Sequence, residues 1–301
     1  MNVMLAMQDA FAQGLLWAVM SLGTYISYRV LQIADLSVDG TFALGGCISA
    51  TLIVGGMNPF FALIFSLLGG MIAGAVTALM NTFLRIPSLL AGILTMLGLY
   101  SVNMRIMGKS NTPLLGEDTI ITLAGNVLPF SKNVINLLIG IVFCVGLIAV
   151  MYWFFGTEIG CALRATGDNA KMARALGTNT DNMIILGLLL SNGLVALSGA
   201  LVAQSQGFAD VGMGTGTIVI GLASIIIGQV VFRFLRGNFA LKLLAAVLGS
   251  VLYRVIIAIV LQLGLDTNDL KLFSAVLVAV ALSVPLLREK YKASRLRKEA
   301  E

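Results

Sequence analysis

The chain of 301 residues contains no histidine. That removes the side chain most often used as general base, proton shuttle or zinc ligand, and with it every Ser/His/Asp or Cys/His catalytic set. Cysteine is scarce: Cys47, Cys144 and Cys161 are odd in number and scattered, with neither a disulfide framework nor metal-ligand spacing. Charge is scarcer still, at 11% of residues against 58% apolar ones. A soluble domain carries about 25% charged residues, and so few could not cover a globule. The chain is therefore read as an integral membrane protein, with a mean hydropathy of +0.99. The dyad alternation over segments of about 10 residues that marks a membrane barrel is missing. The first Lys or Arg is Arg29, so the start lacks the basic region of a cleaved signal peptide.

What is present is a series of long apolar runs. About 20 apolar residues span a bilayer as a helix. The sequence predicts an all-α membrane fold with about nine spans, near 10–28, 41–58, 60–84, 88–107, 134–155, 183–205, 214–232, 239–263 and 270–287. The net charge of +5 invites a nucleic-acid reading, but six of the nineteen cations form a tail after the last run: Arg288, Lys290, Lys292, Arg295, Arg297 and Lys298. An excess of Lys and Arg marks cytoplasmic segments. The tail, 288–301, is accordingly placed inside, after a single transmembrane domain at 1–287. Counting back puts the N-terminus outside. Arg29, Arg85, Arg164, Lys171, Arg174, Arg233, Arg236 and Lys242 then also fall inside, whereas the outer loops hold Glu117, Asp118, Lys132, Asp210, Asp266 and Asp269.

Two phosphate-loop lookalikes fail. Gly108-Lys109-Ser110 has Asn103 where a phosphate-binding loop needs glycine, and Gly212-Met213-Gly214-Thr215-Gly216 lacks a strand–turn–helix setting. Residues 157–182 carry a sharper signal. Asp168 or Asn169 can N-cap a short helix, Ala170 to Leu176 favour helix, and Gly177 is a natural stop. With Arg164, Lys171 and Arg174 around it, the segment is either a plain connecting loop or a docking element for a cytosolic partner.

Three stretches resemble one family in order and spacing: IADLSVDGTFALGG (33–46), TEIGCALRATGDNAKMARALGTNTDN (157–182) and GFADVGMGTGTIVIGLASIIIGQ (207–229). They look like permeases of ATP-binding cassette importers of the branched-chain amino acid and ribose class, most of all those paired with aromatic amino acid binding proteins. Sugar permeases of this class usually end the late segment in Gly-Gly, where this chain has Gly228-Gln229, and they carry an additional first span. The resemblance implies two permease chains, two cytosolic ATPases that bind the ATP, an extracytoplasmic binding protein and no cofactor on the permease itself. It also implies that Arg164, Asp168, Asn169, Lys171, Arg174 and Gly177 contact the ATPase.

An internal match points the same way. Shifting Ala34–Gly46 by 175 residues sets it on Ala209–Gly221, Ala-Asp upon Ala-Asp and Gly46 upon Gly221. Five spans lie between equivalent points, so the copies are inverted, with spans 1–4 and 6–9 as the units and span 5 as linker. Paired glycine-interrupted segments in two halves are the pointer to a translocation path. Asp35 and Ser37 are then candidates for an inner gate, and Asp210, Gly212, Gly214 and Gly216 for an outer one. Asp39 can instead N-cap span two. Arg254 stands about nine residues inside span eight, on the order of 13 Å deep. It serves either as a snorkelling or helix-end group, or as counter-ion to a substrate carboxylate, to Asp35 or to Asp210. Asn81, Asn103, Asn192, Gln204, Gln206 and Gln229 suit interhelical hydrogen bonds, and Gly70-x-x-x-Gly74 suits close helix packing.

The leading reading is a homodimeric permease subunit of an ATP-driven importer. The alternative is an ion-gradient-driven secondary transporter with Asp35 and Asp39 as ion or proton ligands. A membrane enzyme ranks third, for want of any nucleophile–base pair.

Overall fold

A computed structural model describes residues 3–127, 129–232, 237–264, 266, 269–270, 272–280 and 283. The elements are α1 (Val3–Tyr25), continued by a π-helical turn at Ile26–Val30, α2 (Val38–Val54), α3 (Pro59–Thr82) and α4 (Ser88–Met107). After strand β1 (Asn111–Pro113) come α5 (Ile120–Val127), α6 (Lys132–Gly156), α7 (Glu158–Asp168), α8 (Ala170–Ala175) and α9 (Thr180–Gln206). Strand β2 (Phe208–Asp210), α10 (Thr217–Val231) and α11 (Phe239–Gln262) follow, and 272–280 are helical. Helices α3, α4, α6, α9 and α11 are each long and apolar enough to cross a bilayer, whereas α2 and α10 are shorter apolar helices. At 1.5 Å per residue the latter two reach only about 22–26 Å, short of the roughly 30 Å hydrocarbon core.

The first eight predicted runs each coincide with a helix, with shifts at their ends. The second begins at Val38 rather than 41 and stops at Val54, before the Gly55-Gly56 turn. The fourth is matched as Ser88–Met107. The ninth lies partly outside the described residues, as do Arg233, Arg236 and the whole basic tail. The stretch 108–133, between the fourth and fifth runs, holds β1 and α5. β1 pairs antiparallel with β2, Asn111 opposite Asp210. α5 is held by the Ile120 amide, which donates to Gln204 Oε1 at 3.0 Å. Eight residues are too few to read as a span, and a strand of three is invisible without its partner.

Helix α9 is the hub, packing on α1, α2 and α3. Its approach to α3 rests on the predicted small-residue face: a side chain at Gly70 would strike the Asn192 backbone, and one at Gly74 the Leu188 carbonyl. Small residues let membrane helices close to backbone contact, where dispersion and hydrogen bonds replace the absent hydrophobic drive. α1 runs antiparallel to α9, and two serines stitch them: Ser198 Oγ donates to the Leu16 carbonyl and Ser191 Oγ to the Gly23 carbonyl, each at 2.8 Å. The other long seam is α1 on α11, where Ser250 Oγ donates to the Gly14 carbonyl at 3.0 Å. On the outside, Phe60, Phe61, Ile64, Phe65, Leu68 and Ile72 of α3 are large, apolar and mostly exposed, a surface suited to lipid or protein rather than water.

Candidate functional site

α1 does not run straight into α2. Its π turn is closed by the Leu31 amide on the Ile26 carbonyl at 2.9 Å, and the Ile33 amide reaches back to the Ser27 carbonyl at 2.8 Å. Gln32 takes a left-handed φ of 56° between them. The chain then passes without regular structure to α2, and Asp35, 2% exposed, lies in this passage. A buried carboxylate must have hydrogen-bond partners or neutralise, and this one has them. Its Oδ1 accepts from the Ser37 amide (2.9 Å) and hydroxyl (2.6 Å), and its Oδ2 from Asn192 Nδ2 of α9 (2.7 Å). Asn192 Nδ2 also donates to the Leu188 carbonyl at 3.1 Å. α4 closes the other side: a side chain at Gly92 would strike the Leu36 amide, and Asn103 Nδ2 donates to the Gly40 carbonyl at 3.2 Å.

One turn on, Asp39 leaves its own helix for another. Its Oδ2 accepts from the Gly216 amide at 2.8 Å; its Oδ1 accepts from the Ile218 amide at 2.8 Å and the Thr217 hydroxyl at 2.9 Å. These are groups at the start of α10, so the carboxylate caps α10 from the first turn of α2. The expectation that Asp39 caps span two is corrected: that helix starts after Ser37, and the carboxylate serves the facing N-terminus. A carboxylate there satisfies orphan amides and meets the positive end of the helix dipole. Gly214 permits the approach, since a side chain there would run into the Asp39 carbonyl oxygen. Gly216, at φ +83°, supplies the left-handed residue before α10. The starts of the two short helices therefore meet.

The other candidates are placed elsewhere. Asp210 closes a local turn, its Oδ1 accepting from the Gly212 amide at 2.7 Å. Arg254 is not a counter-ion to Asp35 or Asp210: its guanidinium lies over the Trp17 ring, 4.0 Å from the centroid. Asp35 is satisfied by neutral donors and Asp210 by its own turn, so neither calls for a cation.

The stretch 157–182 is built largely as its residues indicate. Asn169 caps α8, Oδ1 accepting from the Met172 amide at 3.1 Å, and Gly177 at φ +86° ends it. The sequence did not announce α7, which Thr157 caps through the Gly160 amide at 3.3 Å. Lys171, Met172, Arg174, Leu176 and Gly177 are exposed, with Leu176 at 76%. Arg164 lies 5.6 Å over the Phe239 ring. Arg174 donates to Thr180 Oγ1 and lies 3.7 Å from Asp181, to which Arg85 also binds at 3.1 Å. α7 is seated directly on the exit of α1, where a side chain at Gly167 would strike the Val30 carbonyl.

Residues 6–284 match the family described as branched-chain amino acid transport system, permease component. The chain belongs to that family. A tyrosine transport system permease protein of Clostridioides difficile is 38% identical over 275 residues, covering 91% of this chain and 90% of its own. An uncharacterised protein of Rickettsia prowazekii is 37% identical over 285 residues, 94% of this chain and 98% of its own. The autoinducer 2 import system permease protein of Yersinia pestis is 33% identical over 168 residues, 55% of this chain and 45% of its own. A solved structure, PsaBC from Streptococcus pneumoniae in complex with Fab, aligns over 92% of this chain and 89% of its own, with TM-score 0.49 and 14% identity.

The permease is thus a multi-pass protein of the bacterial inner membrane. Asn192 of the permease, read from sequence as one of six ordinary interhelical polar groups, is the partner of Asp35, and no sequence signal singled it out. Gln229, another of the six, accepts from Arg29, tying the last turn of α10 to the exit of α1.

Proposed function

We propose that this permease is the membrane subunit of an ATP-driven importer, which carries a small solute by alternating access along a path lined by its two interrupted segments. The observation that carries the reading is the meeting of α2 and α10 at Asp39, with one carboxylate binding the start of the facing helix. In the proposed arrangement nine membrane helices form one domain at 1–287, the short α2 and α10 starting within the membrane where they meet, and the N-terminus lies outside and the basic tail inside. Spans 1–4 and 6–9 form inverted units. Asp39 and Gly214, which abut, are equivalent under the 175-residue shift, as contacting residues on a two-fold axis must be. The same shift carries the pair Leu16–Ser198 onto Ser191–Gly23, the second of the two serine stitches. It also carries α3 on α9 to α11 on α1, both extensive seams. Irregular backbone at membrane depth is tolerated only where protein or water covers it, which suits residues 31–37 and 211–216 to line the path.

Coupling would run through α7 and α8. Lys171 with the exposed apolar Met172 and Leu176 offers a cytosolic ATPase a contact surface, together with Asp168, Asn169 and Gly177. Arg174 holds the start of α9 through Thr180, and Arg164 braces α7 against α11. Motion of α7 reaches Val30 by direct backbone contact, and Asp35 follows five residues later. Two permease chains, two ATPases and an extracytoplasmic binding protein complete the assembly. An amino acid, aromatic in the first instance, is the proposed solute because of the similarity to the tyrosine permease. The ion-driven alternative is disfavoured because every oxygen of Asp35 and Asp39 already accepts a protein hydrogen bond.

Reconstitution with a cytosolic ATPase and an extracytoplasmic binding protein from the same cell tests the reading. ATP-dependent uptake of tyrosine is expected, and Lys171→Glu with Met172→Glu should release the ATPase while the chain stays folded. Uptake driven by a sodium or proton gradient without ATPase would overturn it.

A further inference from the structure

Away from the helix crossing, the outer ends of α1 and α11 line an open cavity of about 690 Å³ with Asp9, Gln13, Arg254 and Gln262 among apolar residues. Asp9, Gln13 and Trp17 follow one another at intervals of four on α1, and Arg254, Ala258 and Gln262 do so on α11, so each set forms one helix face. The polar groups here are left over. Arg254 Nε, Gln13 Oε1 and Trp17 Nε1 are buried with no hydrogen-bond partner among the described residues, and Trp17 is only 6% exposed. Among the described residues, neither Arg254 nor Asp9 is within ion-pair distance of an opposite charge.

A guanidinium within a membrane helix costs about 2.5–3.5 kcal/mol on insertion scales and ordinarily finds a partner. Buried unsatisfied polar groups each add to the cost. Here the cation is held flat against Trp17 by cation–π contact, which fixes its position while leaving it without an anion. A carboxylate lines the same cavity toward its outer end. Opposite charges held apart across a space of this size, within the range of small-molecule pockets, match a ligand that brings both signs itself.

We propose that this cavity binds a zwitterionic α-amino acid, its carboxylate on Arg254 and its ammonium toward Gln13 Oε1 and Asp9. The inference rests on the importer reading for its biological meaning but not for its chemistry. Trp17 also links the cavity to the crossing: its ring lies 4.9 Å from that of Phe42, one turn beyond Asp39 on α2. Occupancy of the cavity thus bears on the element that joins the two short helices.

The chain has two tryptophans, Trp17 and Trp153, so Trp153→Phe leaves Trp17 as the sole indole reporter, directly beneath Arg254. The full chain carrying that substitution, in phosphatidylcholine nanodiscs, is titrated with L-phenylalanine, phenethylamine, 3-phenylpropionate and inorganic phosphate. A saturable change in Trp17 emission is expected with phenylalanine. Phenethylamine, which lacks the carboxylate, should bind at least tenfold more weakly. Arg254→Gln should weaken phenylalanine at least tenfold and Arg254→Lys less. Equal binding of phenethylamine, or an unchanged response in Arg254→Gln, overturns the proposal. A response to phosphate alone, or loss of the phenylalanine response in phosphatidylglycerol nanodiscs, assigns the site to a phosphate or lipid headgroup instead and also overturns it. Should Arg254→Gln fail to fold, the ligand series on the unaltered site decides. ATP-driven uptake measured alongside separates the two readings: uptake without a Trp17 response removes this site only, and a Trp17 response without uptake removes the importer only.

Discussion

Asp39 and Arg254 each carry a charge on a helix placed in the membrane, and the protein treats them oppositely. The Asp39 carboxylate takes two backbone amides and a hydroxyl, so its field is spent on joining α2 to α10. The Arg254 guanidinium takes an aromatic face and no hydrogen-bond acceptor among the described residues. In a medium that cannot hydrogen-bond, a fully satisfied group is architecture. An unsatisfied one is left able to take up a ligand. The contrast separates the frame of this permease from the place where a solute would be felt.

The largest effect is expected on the satisfied side. Asp39→Ala removes the acceptor for three donors, and with charged hydrogen bonds worth roughly 1.5–3 kcal/mol each the variant should lose about 3 kcal/mol or more. Thermal unfolding in detergent micelles would read this, and a stable, transport-competent D39A would show the joint to be dispensable. Gly214→Ala should follow at about 1–3 kcal/mol, the cost of overpacking against backbone, by the same measurement. Asp35→Asn keeps one acceptor oxygen for two sets of donors and should cost about 1.5 kcal/mol. Chemical denaturation would check it, with Ser37→Ala as a milder companion. The smallest effect belongs to Arg254→Gln. Relief of the insertion cost offsets the lost cation–π contact, so its melting point should stay close to that of the native chain. A collapse there comparable with D39A would erase the distinction.

The positions of the helices were legible because an apolar run of membrane length has few other readings. The α8 turn was legible because its signals are local: Asn169 caps it and Gly177 ends it within a dozen residues. The centre was not. Asp39 meets its partners 177 to 179 residues away, and Asp35 meets Asn192 across 157. Nothing about a lone Asp between apolar runs states whether it caps its own helix or a distant one. The 175-residue alignment set Asp39 upon Gly214 but did not say that they touch. Arg254 was legible as costly, yet its resting place on Trp17 was hidden, since a tryptophan in an apolar run resembles core. Helix α7 was overlooked because its eleven residues are nearly neutral in hydropathy overall and too few to stand out as a run, although Gly160, Leu163 and Thr166 are buried at helical spacing.

The π turn at the end of α1 has a bearing on how residues 31–37 can move. A π turn is an α-helix holding one residue more than its pitch requires, and here the surplus sits between the body of α1 and the passage to Asp35. Rewinding that turn to α geometry would hand one residue to the passage and rotate the chain beyond it by about 100°. The five residues Ile26–Val30 are therefore a store of slack: they can lengthen the passage by one step while the rest of α1 keeps its grip on α9 and α11.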